Sequence, residues 1–354
     1  MRQNLLTRNE CAAMRGIAIL AIMLHNYCHW LNFAVKENEY RFHADRALGM
    51  WEALMNPDGF LPVQLVSFFG HYGVPVFLFL SGYGLVLKYE REGEPMHRPL
   101  PFITYHFKKL WGMMALGFVL FIIIDIMTPR SFHFHCAQLF EQAFMVINLF
   151  PEPNVWIWPG PFWFFGLMLQ MYIVYTLLFY RHRHWGWVVG LTLLCLCIQA
   201  SCDPDSETLR YLRYNSIGGI LPFGIGILCA RHCCGSALTV VSKWQWALLC
   251  IVSSAAVIVM SLYFALWHFA PVMVIIGTIC LAKALPSRSM PLMIWIGGIS
   301  AALFVTHPAM RKIFIPVSYR GDVYDGIMLY VIASFGVAWV MTFLIQRIKV
   351  HFNE

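Results

Sequence analysis

Charged side chains are scarce in this chain of 354 residues. Only 12% of its residues are Asp, Glu, Lys or Arg, about half of the share in soluble domains. The chain is instead 59% hydrophobic, with a mean hydropathy of +0.63. This balance excludes a soluble enzyme, a disordered protein and a nucleic-acid binder. It favours a helical membrane protein, because each crossing of the bilayer takes about 20 apolar residues.

The sequence also lacks the features that divide a chain into parts. It contains no Gly/Ser-rich or Pro-rich linker, no low-complexity tract and no internal repeat. The first apolar run leads into His25 and His29 rather than into a small-residue cleavage site, so we interpret it as a retained span. Most of the cysteines lie in apolar runs without the spacing of zinc ligands. We therefore predict one all-α domain, residues 1–354, without a metal.

Apolar runs predict a polytopic integral membrane protein with about ten transmembrane helices and cytoplasmic termini. In this arrangement the inner segments hold 16 of the 25 Lys and Arg but 5 of the 18 Asp and Glu, which gives charges of +11 inside and −4 outside. The bias follows the positive-inside rule, and it would also attract a cytosolic polyanion. We place an interfacial helix at 133–150 and an outer polar stretch at 35–61. The predicted spans are 12–34, 63–87, 110–127, 161–180, 185–201, 215–231, 244–262, 266–285, 292–313 and 324–346.

The first span carries four polar side chains: Arg15, His25, Asn26 and His29. At about 100° and 1.5 Å per residue, all four share one stripe of the helix, and His25 lies about 15 Å from Arg15, toward the midplane. Ionisable groups within spans are costly, and they mark functional sites by default. We expect the arginine to hold phosphate at the inner mouth of a shared cavity and an imidazole to perform acid–base chemistry deeper in it.

Other polar and aromatic groups have a structural and a functional interpretation each. The basic residues Lys108 and Lys109, between the second and third spans, either set the topology or bind phosphate. Tryptophans before the fourth span form an interfacial belt or platforms for sugar rings. His307, in the ninth span, either faces an outer acceptor or bonds to neighbouring backbone. The carboxylate of Asp125 would pair with an outer arginine. The candidate substrate-binding residues are Asn26, Ser81, Tyr83, His106, Lys109, Trp163, Gln170 and His307.

Five stretches, in order, give the chain a familiar pattern. The sequence MRGIAILAIMLHNYCHW resembles the Arg–apolar–His motif that opens membrane-bound acyltransferase family 3, which modifies bacterial surface glycans. Nine residues separate Arg15 from His25 where the family usually has ten, and Asn26 stands at the usual position of the histidine. The remaining four stretches that resemble family motifs are GHYGVPVFLFLSGYG, FITYHFKKLW, FWFFGLMLQMY and ISAALFVTHP.

The resemblance implies transfer of an acyl group from cytosolic acyl-CoA to a glycan or glycolipid hydroxyl. Acetyl-CoA is the expected donor, its phosphates held by Arg15, His106 and Lys109. His25 would be the general base or the acyl carrier, and His29 remains an alternative imidazole. The implied setting is the cytoplasmic membrane of a bacterium, with lipids as neighbours and a homodimer left open. The rival interpretation is a transporter or flippase of a glycan or lipid.

Overall fold

The structure is a computed structural model that describes residues 4–90, 98–233 and 241–351. These residues fold into α-helices and short 3-10 or π turns, without a strand, and this confirms the all-α prediction. The helices of the described residues are α1 (Arg8–Cys28), α2 (Ala44–Met55), α3 (Leu61–Phe69), α4 (Gly73–Tyr89), α5 (Pro99–Met127), α6 (Cys136–Ala143), α7 (Pro153–Trp156), α8 (Trp163–Val174), α9 (Trp185–Ala200), α10 (Glu207–Arg213), α11 (Ser216–His232), α12 (Lys243–Met260), α13 (Phe264–Trp267), α14 (Ala270–Ala284), α15 (Met290–Gly298), α16 (Ser300–Arg320) and α17 (Val323–His351).

Many of these helices suit a membrane. Helices α15 and α16 are bent by 74° at the break between them, and together they form one candidate span. Helices α9 and α14 are apolar but shorter. Each of the ten predicted spans coincides with a helix or a helix pair. The polytopic architecture is therefore confirmed, whereas the number ten and the cytoplasmic termini stay predictions. Six described stretches are long and apolar enough to cross: Arg8–Cys28, Leu61–Tyr89, Pro99–Met127, Gly160–Phe179, Lys243–Met260 and Val323–Arg347.

Helix α1 lies at the centre of the bundle, in contact with α3, α4, α14, α15, α16 and α17. It begins with a capping box, in which Thr7 and Glu10 satisfy each other's backbone N–H groups. It ends at Cys28, after which the chain turns through Trp30 and Leu31. The predicted end at residue 34 is therefore wrong. His25 lies in the last turn, near the end of α1 that the charge bias assigns to the outer side, rather than near the midplane.

Two glycines let the second span approach α1 closely. A Cβ atom at Gly70 would collide with the Ala21 carbonyl and with Cβ of His25, and one at Gly73 would collide with the Ala18 carbonyl. Gly84, on the same span, has no such contact, because nothing lies within 4 Å of its position. The close approach brings the α3–α4 break directly against His25.

The segment after α1 folds back into the protein, although we predict an outer polar stretch from residue 35. Asn38 and Glu39 are buried. The Asn38 side chain donates to the Ser261 carbonyl at 3.2 Å and accepts from the His43 N–H at 2.7 Å. The Arg213 guanidinium donates to the Glu39 carbonyl at 2.6 and 3.1 Å. These bonds satisfy backbone and amide groups away from water, and they carry two carboxylates into the bundle.

Candidate active site

Three polar residues of the first span meet in one small pocket. His25 and Asn26 lie in the last turn of α1 and His29 is its C-cap, so at about 100° per residue the three side chains fall within one stripe. The pocket has a volume of about 90 Å³. We call it the histidine pocket, and its polar and aromatic lining includes His25, Asn26, His29, Trp30, Glu37, His71, Trp158, Trp163, Tyr214 and Arg311.

His25 is held in one tautomer. Its Nδ1 atom lies 2.8 Å from the carbonyl oxygen of Ser67, and its side chain is buried. A carbonyl can only accept, so Nδ1 carries the hydrogen and Nε2 of the neutral ring keeps its lone pair. His25 is therefore arranged as a base whose reactive nitrogen faces the pocket.

Glu37 faces that nitrogen, and the sequence interpretation does not include it. Its Oε2 atom lies 3.9 Å from Nε2 of His25 and 3.5 Å from Nδ1 of His29. Burial alone would raise the pKa of the Glu37 carboxyl, but contact with the His29 imidazole holds that pKa well below its usual range. Glu37 is thus a carboxylate placed to stabilise positive charge on the imidazoles.

A second histidine–carboxylate pair lies behind the first. The His71 ring packs edge-on against His25, with centroids 4.9 Å apart, and its Nδ1 atom is 2.5 Å from Oε2 of Glu39. Burial raises the pKa of the Glu39 carboxyl, against the charges of His71 and Arg213. His71 therefore packs against His25 from the break between α3 and α4, separately from Glu37. No sequence motif marks the pair, because Glu39 and His71 come from separate elements.

Arg311 closes the histidine pocket on another side. Its guanidinium lies 4.9 Å from the ring centroid of Trp30 and 5.2 Å from that of Trp158, and it donates to the Asn26 carbonyl at 3.2 Å. The residue is 5% exposed. Among the described residues it has no carboxylate within 4 Å, so the indole faces and Asn26 partly compensate a buried charge.

A much larger cavity adjoins the histidine pocket. It has a volume of about 1140 Å³, and Trp30, Trp158 and Arg311 line both spaces. We call it the outer cavity. Asp125 lies in its wall and pairs with Lys312 of α16, rather than with the outer arginine that we expect. Its lining also includes Arg130, Glu152, Trp156, Glu207, Tyr319 and Arg320.

Arg15 lines a different space from His25 in the pockets that the structure describes. This inner pocket has a volume of about 950 Å³ and lies around the start of α1. Arg8 and Lys88 line it together with Arg15, and Tyr83 contributes a hydroxyl that is 3.1 Å from the Leu6 N–H. The inner pocket thus gathers three cations, of which the sequence singles out one.

The other predicted residues fall into two groups. Trp163 lines the histidine pocket, and His307 lies one turn after Phe304, which also lines it. The His307 Nδ1 atom lies 3.0 Å from the Leu303 carbonyl, the backbone bond of one interpretation. The remaining residues make local contacts: Ser81 donates to the Phe77 carbonyl, Gln170 bonds to Asn215 and Ser216, His106 stacks on Tyr172, and Lys109 follows His106 by three residues on α5.

The histidine pocket also has ligand types that suit a metal ion. The nitrogens of His25 and His29 and a carboxylate oxygen of Glu37 lie within 4.8 Å of one another. Two histidines and a carboxylate form a familiar zinc set, although separations of 3.5 and 3.9 Å also suit a carboxylate that stabilises positive charge on the imidazoles. The predicted absence of a metal therefore stays a prediction.

Comparison with known proteins agrees with the motifs. No curated protein and no solved structure matches the chain. A family model described as an acyltransferase domain, that of acyltransferase family 3, matches residues 11–345. The match covers nearly the whole chain, including the histidine pocket and the outer cavity. It favours the enzyme over the transporter, and with the apolar helices it shows that the chain belongs to acyltransferase family 3 and is a multi-pass membrane acyltransferase.

Proposed function

We propose that the protein transfers an acyl group, most simply acetyl, from cytosolic acyl-CoA to a hydroxyl group of a cell-surface glycan or glycolipid. Its setting would be the cytoplasmic membrane of a bacterium. The observation that carries the proposal is the arrangement of His25 between the Ser67 carbonyl and the Glu37 carboxylate, in a pocket that shares its wall with a large cavity. A hydroxyl group that enters from this cavity would meet a base beside a charge partner.

The base is Nε2 of His25, since Nδ1 is committed to Ser67. It takes the proton of the acceptor hydroxyl while the oxygen attacks the thioester carbonyl. The imidazolium that results is stabilised by Glu37, 3.9 Å away. Such general base catalysis by a positioned histidine contributes about 10²–10⁴-fold in rate.

The negative charge that develops on the acyl oxygen needs a donor in the same pocket. Arg311 supplies one, because its buried guanidinium lines the histidine pocket without a carboxylate partner in the described part of the chain. Fixed cationic donors in a water-poor site stabilise such oxyanions strongly. The intermediate then collapses, CoA leaves as a thiolate, and the proton on His25 converts it to the free thiol. The products are an ester and CoA.

The donor would bind at the inner pocket. Arg8, Arg15 and Lys88 line that pocket, and their charges suit the phosphates of CoA. Arg15 and His25 are ten residues apart on one helix, which is about 15 Å along its axis. The flexible arm of CoA would have to follow α1 over this distance to bring the thioester to His25. His106 and Lys109, on α5, stay proposed as additional phosphate contacts.

A covalent route uses the same residues. Nε2 of His25 would attack the thioester, CoA would leave, and the acyl-imidazole would pass its acyl group to the acceptor hydroxyl. His29, 3.5 Å from Glu37, would then serve as the base for the second step. The two routes differ in whether label appears on the protein when acceptor is absent.

The test uses membranes that contain the full chain and radiolabelled acetyl-CoA. We expect ester-linked label on the glycan or glycolipid fraction, and a loss of about 100-fold or more for His25→Gln. His182→Gln is the matched control, because His182 is exposed near the start of α9, away from the pocket. A His25→Gln protein that labels at the control's rate would remove His25 from the mechanism, and label that never leaves CoA would overturn the proposed function.

A further inference from the structure

The outer cavity differs from the histidine pocket in its charge pattern. Each of its carboxylates already has a cation: Asp125 pairs with Lys312, Glu152 pairs with Arg41 and Arg210, and Glu207 lies 3.2 Å from Arg210. The acidic groups of the cavity are therefore neutralised within the protein. They leave little attraction for a cationic ligand.

The arginines of the cavity are not balanced in the same way. Arg130 and Arg320 line its wall, and Arg311 lies at the boundary with the histidine pocket. In the part of the chain that the structure describes, none of the three has a carboxylate within 4 Å. Because Arg311 is 5% exposed, its charge is costly without a counter-charge. The lining of the outer cavity therefore carries positive charge, from Arg130, Arg320 and Arg311, that no carboxylate of the described residues pairs with.

Aromatic rings complete the lining. Trp30, Trp156 and Tyr319 are 39%, 40% and 52% exposed although they line a cavity. The Tyr319 hydroxyl donates to the Trp30 carbonyl at 2.8 Å, and the Trp156 indole N–H donates to Glu141 at 2.6 Å. These bonds hold the Tyr319 and Trp156 side chains in place, and exposed aromatic rings in a cavity suit contact with the apolar face of a sugar ring.

We propose that the outer cavity binds an anionic saccharide, whose carboxylate or phosphate group is held by Arg130 and Arg320. This inference rests on the proposed function for the identity of the ligand as an acceptor. The cavity volume of about 1140 Å³ leaves room for more than one sugar unit. Arginine suits both carboxylate and phosphate, because its planar fork donates two parallel hydrogen bonds.

Direct binding tests this proposal without acyl transfer. The purified full chain would be titrated calorimetrically with an oligogalacturonate, a phosphorylated oligosaccharide and an uncharged maltooligosaccharide. We expect the two anionic ligands to bind at least tenfold more tightly than the neutral one, and the better of them to identify the anionic group. Affinity should fall as salt is raised.

Two variants locate the site. Arg130→Gln and Arg320→Gln should each weaken anionic binding by about tenfold, since a charged hydrogen bond contributes about 1.4 kcal/mol or more. Arg288→Gln is the control, because Arg288 is exposed between α14 and α15 and lines none of the described pockets. Equal affinity for neutral and anionic ligands, or unchanged affinity in both cavity variants, would refute the proposal. If the protein transfers acyl groups to a neutral acceptor but binds no anionic saccharide, only the binding proposal is refuted. If it binds anionic saccharides but transfers no acyl group, only the proposed function is refuted.

Discussion

Nδ1 of His25 donates to the backbone carbonyl of Ser67 across the interface between α1 and α3, at 2.8 Å. The bond uses the backbone of Ser67 and not its hydroxyl, which is buried without a hydrogen-bond partner in the described residues. We therefore expect Ser67→Ala to keep its acyl-transfer rate within about twofold, because the mutation leaves the carbonyl in place. A loss as large as that of His25→Gln would show that the hydroxyl takes part in the reaction.

Replacing Glu37 removes the charge partner of both imidazoles. Glu37→Gln keeps the size of the side chain, and we expect kcat to fall by about 10- to 100-fold, as for other groups that orient a catalytic or ligating histidine. The Michaelis constant for acyl-CoA should change little, since Glu37 is remote from the inner pocket. Glu52→Gln is the control, because Glu52 is exposed on α2. A Glu37→Gln protein with unchanged kcat would exclude this role.

The depressed pKa of Glu37 also predicts the stability of the protein in acid. The folded state holds this carboxyl ionised, so its contribution is present above the unfolded value of about 4.3 and is lost as the pH falls through the folded pKa. Thermal unfolding below about pH 4 should therefore depend less on pH in Glu37→Gln than in the wild type. Parallel curves of Tm against pH would contradict the assignment.

Donor binding should depend on the cations of the inner pocket. Arg15→Gln should raise the Michaelis constant for acyl-CoA by about tenfold, since one charged contact to phosphate is lost. Arg8→Gln should act in the same direction, whereas Lys243→Gln, an exposed change at the start of α12, should not. A fall in kcat with an unchanged Michaelis constant would instead place Arg15 in the chemical step.

Gly70 should tolerate no side chain. An alanine there would press against the Ala21 carbonyl and Cβ of His25, so we expect a loss of stability of about 1–3 kcal/mol and a lower kcat. Gly84→Ala on the same span meets nothing within 4 Å, and it should be neutral or stabilising because alanine favours helix. Thermal unfolding and the acyl-transfer rate check both. Equal behaviour of the two variants would argue against close packing at Gly70.

Metal ions should inhibit rather than support the reaction. Added Zn²⁺ would bind Nε2 of His25 together with His29 and Glu37, and it would remove the lone pair that acts as the base. We expect EDTA to leave the rate unchanged and to reverse zinc inhibition. Inactivation by EDTA, followed by recovery with zinc, would show a metalloenzyme.

The sequence predicts those parts of the fold that depend on local pattern. Apolar runs mark the ten helical segments. The helical stripe of Arg15, His25, Asn26 and His29 predicts one shared cavity, but only the last three share a pocket and Arg15 lines another. The end of α1 is misplaced, because the apolar composition continues past Cys28 while the backbone turns there. Length and composition do not encode such a turn.

The missed residues of the site come from distant parts of the chain. Glu37 and Glu39 look like solvated loop acids in the sequence, and only the fold-back held by Asn38 and Arg213 brings them inside. Arg311 likewise follows the motif around His307 in sequence, but its position beside Trp30 depends on the packing of α16 against α1. Such long-range contacts have no periodic signature.

The small volume of the histidine pocket predicts a steric limit on the acyl group that the proposed reaction would transfer. A space of about 90 Å³ admits only a few water-sized groups, and its walls are large rings and a fixed arginine rather than flexible aliphatic chains. A two-carbon acyl group fits this pocket, whereas a longer chain would have to displace Trp163 or extend past Trp30, Trp158 and Arg311 toward the outer cavity. The size of the pocket would then favour short acyl chains over long ones.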